Sequence, residues 1–144
     1  MRSIGALGIT FLLVAASSLA QGQELFQPVG NMSQIMVSMV YPPTNDILLS
    51  IYRGAPKDDK EWAALERSAV LLAESGNVLM MRGHAVDQGQ WMKHARMMVD
   101  AGAAAYKAAR AKDVNALTAV AEPLNASCIA CHKTYRRNVH PAQP

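Results

Sequence analysis

Little in this chain is charged or aromatic: 17% of its 144 residues are Asp, Glu, Lys or Arg, and 6% are Phe, Trp or Tyr. With 51% hydrophobic residues beside it, so small a charged share excludes an intrinsically disordered chain and fits one globular domain. Lys and Arg number 14 against 11 Asp and Glu, a net charge of +3. The basic residues are scattered, so no block of charge marks a nucleic-acid partner. Strand-like alternation, low-complexity tracts and internal repeats are absent. So are a nucleophile paired with a base, a carboxylate pair and a phosphate-binding loop, which leaves no enzymatic reaction to assign. Past residue 20 no stretch reaches the ~18 consecutive apolar residues of a membrane helix, and no stable membrane insertion is expected.

The N-terminus is the exception to this plainness. Arg2 is followed by an uncharged apolar stretch from Ile4 to Ala16, and then by Ser18-Leu19-Ala20, with small residues where a signal peptidase reads. Left in place the run would act as a membrane anchor, but it is short for that. Residues 1–20 are therefore expected to be a secretory signal cleaved after Ala20, and residues 21–144 a mature domain in the periplasm. No cysteine near the cleavage site offers a thiol for a lipid anchor.

The chain has two cysteines, Cys128 and Cys131. In an oxidising compartment a disulfide is the default expectation, yet a bridge closing so short a loop constrains the unfolded chain very little. Zinc would need third and fourth ligands at finger-like spacing, and no further cysteine exists. A thioredoxin-like pair is expected at a helix N-terminus after a strand, not near the end of a helical chain. The run Cys128-Ile129-Ala130-Cys131-His132 instead has the spacing that attaches a c-type haem. Residues three apart on a helix share a face with Cβ atoms ~5–6 Å apart, so both thiols can reach the two vinyl groups as thioethers. His132, next in sequence, can then turn its imidazole toward the iron.

The rest of the mature chain reads as four helices. Met32, Ile35, Met36, Met39 and Val40 recur at helical spacing, and Ile47, Leu48 and Ile51 resume it after Pro42-Pro43. The first helix should break or bend at that proline pair and end at Gly54-Ala55-Pro56, with Asp58 or Asp59 capping the next. The second carries Trp62, Leu65, Ala69, Leu72, Gly76 and Leu79. After a polar connection from Gly83 to Gly89, the third carries Trp91, Ala95, Met98, Gly102 and Ala105. Asp113 sits where an N-cap belongs. The last stripe runs Val114, Leu117, Val120, Ala121, Leu124, Cys128, Cys131, Tyr135, with a bend expected at Pro123. Because the haem thiols lie on this stripe, the macrocycle should pack inside the bundle. Residues 141–144 are expected to fray.

A secreted chain of this size, with four helices and Cys-x-x-Cys-His in the last of them followed by Lys133-Thr134-Tyr135-Arg136, resembles the class II c-type cytochromes, the cytochrome c′ and cytochrome c-556 group. The resemblance covers the chain from about Met32. It implies an all-α, antiparallel up-down four-helix bundle with covalently bound haem c and iron. In this group the sixth iron position is either vacant, as in gas-binding high-spin cytochrome c′, or filled by a methionine of the first helix, as in low-spin cytochrome c-556. Gln34-Ile35-Met36, with Pro42 six residues on, resembles the second pattern and implies Met36 as ligand. Periodicity alone does not choose among Met32, Met36 and Met39. Tyr135 and Arg136 resemble family residues beside the haem, and Arg136, four residues after His132, can lie near its ring or a propionate. His84, His94 and His140 read as surface residues, Trp62 and Trp91 as core aromatics.

The function implied is one-electron transfer through a His/Met haem, because a soft thioether favours ferrous iron. Its partners would be soluble or membrane-bound redox proteins, and the resemblance admits a homodimer. The alternatives are a five-coordinate cytochrome c′ binding nitric oxide or carbon monoxide, and a haem-free thiol-disulfide oxidoreductase.

Overall fold

A computed structural model of the chain describes residues 26–136. The expected signal and its cleavage site, the tail and His140 lie outside the described residues. Within them the chain is all-helical: α1 (Met32–Ile35), a π segment (Met36–Val40), α2 (Tyr41–Tyr52), α3 (Asp59–Met80), α4 (Gln90–Ala111), α5 (Val114–Ala119) and α6 (Ala121–Tyr135). These form four rods, since α1, the π segment and α2 are continuous and α5 runs into α6. Among the described residues no helix is long and apolar enough to cross a membrane.

Local chemistry sets the ends. Asn31 and Gln34 cap α1 reciprocally: Asn31 Oδ1 accepts from the Gln34 amide at 3.0 Å and Gln34 Oε1 from the Asn31 amide at 2.9 Å. The first rod does not break at Pro42-Pro43. Both prolines sit in the first turn of α2, directly after the five-residue π turn, and because the rod continues through them they leave carbonyls of that turn without their usual amide donors. Gly54 at φ 88° and Ala55 at φ 81° then turn the chain sharply. Asp58 caps α3 by accepting from the Glu61 amide at 2.8 Å, and Asp113 caps α5 by accepting from the Ala116 amide at 2.9 Å.

The last rod is interrupted at Val120 rather than bent at Pro123. Pro123 is the third residue of α6, inside the first turn, where helix amides have no intrahelical acceptor to lose. Val114, expected on the inner stripe, is exposed.

Each stripe of the second and third helices is buried, and α3 and α4 form the most extensive pairing in the molecule. They approach closely because of two glycines. A Cβ on Gly102 would meet the Ala73 amide nitrogen at 2.7 Å, and one on Gly76 would meet Val99 Cγ2 at 2.6 Å. Ile47, Leu72, Leu117 and Leu124 are fully buried, each contributing ~1.5–3 kcal/mol by removal from water. α6 packs on α4 and α5, and α2 packs on α3, but the first rod and α6 have at most marginal direct contact. A cavity lies where those two would otherwise meet.

Candidate functional site

The cavity between the first and last rods has a volume of about 230 Å³. α6 contributes Ser127, Cys128, Cys131 and His132, with Arg136 just past its end, and the first rod contributes Met36, Val37, Val40, Tyr41 and Thr44. These positions share one helical face, and the rod holds a π turn there, in which the Tyr41 amide donates back to the Met36 carbonyl. Leu79, Trp91, His94, Ala95 and Met98 complete the wall from α3 and α4. A second cavity of about 490 Å³ adjoins it, sharing Met36, Trp91, Cys131, His132 and Arg136 and adding Met32, His84 and Tyr135.

The five expected site residues thus come together: Cys128, Cys131, His132, Met36 and Arg136 all line one cavity. The three methionines of the first stripe separate. Met36 lines both cavities, Met32 only the second, and Met39 neither.

Burial acts on both thiols. It pushes the Cys128 thiol up from its ordinary range, and it pushes Cys131 to about 11, with the charge of Cys128 adding to the effect. A thiol of that kind is protonated at neutral pH, unlike the thiolate of a redox-active pair. Both are free of any disulfide. Ser127, also buried, turns its hydroxyl to the Leu124 carbonyl at 2.8 Å and stands 3.9 Å from the Cys128 sulfur.

Two histidines expected on the surface are found elsewhere. His84 is half-buried on the second cavity, and His94 is half-buried on the first. The His94 Nδ1 is sealed from solvent with no hydrogen-bond partner. Its place was readable in principle, since positions 91, 94, 95 and 98 share one face at 3/4 spacing. Trp91 is core, as expected, yet also cavity wall; its indole N–H donates to the Leu79 carbonyl at 2.6 Å.

Sequence reasoning missed the clamp behind the site. Asp87 Oδ1 accepts from the amides of Gly89 (2.7 Å) and Trp91 (3.2 Å), closing the N-terminus of α4. Its other oxygen accepts the Tyr135 hydroxyl. The Tyr135 ring meets Trp91 edge-on at 5.0 Å and His94 at 6.3 Å. One carboxylate therefore ties the connection between α3 and α4 to the last turn of the cysteine-bearing helix. No local pattern joins residues 48 apart in sequence.

The donor set fits a covalently held haem. Two thiols one helical turn apart, an imidazole beside the second and a thioether from another rod face an apolar cavity, and a buried imidazole nitrogen there lacks a partner. Among the described residues no group of three or more His, Cys, Asp or Glu is placed to hold a metal ion by itself. Iron in a macrocycle asks less, one or two axial ligands from the protein. Compared with family models, curated proteins and solved structures, the chain matches none.

Proposed function

We propose that the chain is an exported one-electron carrier of the class II c-type cytochrome kind, an antiparallel up-down bundle with one haem c held through Cys128 and Cys131. The observation that carries this reading is the cavity itself: the Cys-x-x-Cys-His helix and Met36 line it from two rods that scarcely touch.

The haem supplies the one-electron ferric/ferrous couple. The Cys128 and Cys131 sulfurs would hold it covalently to α6, so that it could not dissociate. His132 offers an imidazole nitrogen from the same helix. Met36 offers a thioether from the first rod, a soft donor that favours ferrous iron and raises the potential. Leu79, Val40, Trp91 and Met98 line the cavity and would keep water from a group bound there, a low-polarity surrounding that would favour the less charged ferrous form. Arg136, exposed and lining both cavities, would offer a cation to a propionate. Held on separate rods, His132 and Met36 would limit rearrangement of the bound group between oxidation states. The partners are then other redox proteins of the periplasm, soluble or membrane-bound.

The visible spectrum of the purified ferric protein tests this reading. A low-spin iron with the weak far-red band of sulfur ligation is expected. Met36→Ala should remove the band, turn the iron high-spin, lower the potential and speed carbon monoxide binding. A high-spin parent that takes up carbon monoxide at once would make the protein a gas-binding cytochrome c′, with Met36 merely lining the pocket. A protein without haem would return the cysteines to thiol chemistry.

His94 favours one further reading, a bis-histidine iron, because its ring lines the same cavity and its buried Nδ1 has no hydrogen-bond partner. A low-spin spectrum that lacks the sulfur band and turns high-spin in His94→Ala, but not in Met36→Ala, would establish it.

A further inference from the structure

The first rod carries a backbone problem that a distant serine solves. In an α-helix the carbonyls of Ser38 and Met39 would receive the amides of residues 42 and 43, but both of those are prolines without an N–H. Ser38 is exposed, so water can serve its carbonyl. Met39 is half-buried, and its carbonyl instead accepts the hydroxyl of Ser75, in the middle of α3, at 3.0 Å. Ser75 is completely buried. Its single proton is shared with the Leu71 carbonyl at 2.7 Å, within its own helix. Among the described residues Ser75 and Ser127 are the two buried polar side chains, and Ser127 bonds only locally.

The tethered carbonyl belongs to the π turn that starts at Met36, whose own carbonyl accepts the Tyr41 amide. α3 is in turn locked to α4 beside this point by Gly76, where no side chain fits. A rigid element thus holds the one turn whose geometry sets where the Met36 side chain projects. From this we infer that Ser75 is a positioning residue for the sixth iron ligand: its hydroxyl pins the π turn so that the Met36 thioether stays within the cavity. The inference rests on the proposed His/Met coordination.

Ser75→Ala removes the tether with almost no change in volume. Losing the longer arm of this shared hydrogen bond, at the low end of the usual range, should raise the population with Met36 swung away about two- to threefold. Carbon monoxide binding to the ferrous holoprotein should accelerate by the same factor, and the far-red sulfur band of the ferric protein should weaken. Amide exchange at Tyr41 should quicken likewise, while amides of α4 stay unchanged. Ser75→Thr, which keeps the hydroxyl, should restore the slow carbon monoxide rate.

An unchanged carbon monoxide rate and band in Ser75→Ala would overturn the inference, even if the melting temperature drops, because the serine would then stabilise the bundle without positioning the ligand. Faster Tyr41 exchange with an unchanged band would overturn it too. If the parent protein itself lacks the sulfur band, the His/Met coordination fails and this role fails with it. That outcome is distinguished from the others because it is read on the parent alone.

Discussion

Asp87 shows how much one side chain can join. Its carboxyl is held below the ordinary carboxylate value chiefly by the Tyr135 hydroxyl, with the Gly89 amide next. The same bond pushes the Tyr135 phenol up to about 12. A lowered carboxyl stabilises the fold above its unfolded pKa and loses that contribution as pH falls through the folded value. A raised phenol stabilises below its ordinary 10.0 and loses the contribution as pH rises through about 12. The clamp is therefore intact across the neutral range and weakens at both extremes. Following the Tyr135 ring resonance against pH should give a midpoint near 12, and Asp87→Asn should bring it down toward 10 by weakening the hydrogen bond and removing the carboxylate charge. An unmoved midpoint would mean the bond to Asp87 is not what protects the phenol.

Among the elements, the α3–α4 pair is the frame on which the site is mounted. Its separation is set by Gly102 against the backbone of Ala73 and by Gly76 against Val99 and the Ala95 carbonyl. Ala95 lines the cavity, so the frame and the site share a residue. Gly102→Ala should cost about 1–3 kcal/mol, the ordinary range for overpacking, because backbone atoms rather than a flexible side chain stand in the way. The denaturation midpoint measures this directly. The same substitution at Gly30, whose Cβ would make only ordinary contacts at 3.6 Å and beyond, should be far milder. Equal losses at the two positions would show that close helix approach is not what Gly102 provides.

At the scale of the whole molecule, the cavity leaves a hole between two rods, and a hole lined by side chains such as Leu79, Val40 and Met98 weakens a fold unless something fills it. The double substitution Cys128→Ala and Cys131→Ala should therefore release haem on acidified organic extraction and also lower the melting temperature. The parent should retain its haem through the same extraction, and its intact mass should correspond to a chain beginning at Gln21 plus one haem. A mass including Met1 would contradict export with cleavage. A double variant as stable as the parent would show that the cavity is filled by collapse of the rods.

What the sequence determined by itself is local. Cys128, Cys131 and His132 are neighbours along one helix, and caps such as Asp58 and Asp113 act within three residues, so spacing alone reveals them. The stripes of α3 and α4 were legible for the same reason, since burial there follows helical period. The tertiary structure decided what depends on two segments meeting. It distinguished Met36, which lines both cavities, from Met32, which lines one, and Met39, which lines neither, because which part of a stripe faces the last rod depends on how the rods pack. It moved His94 from the surface to the cavity wall, joined Asp87 to Tyr135, and joined Ser75 to Met39. Those contacts span up to 48 residues. A periodic pattern says that a face is buried; only packing says against what.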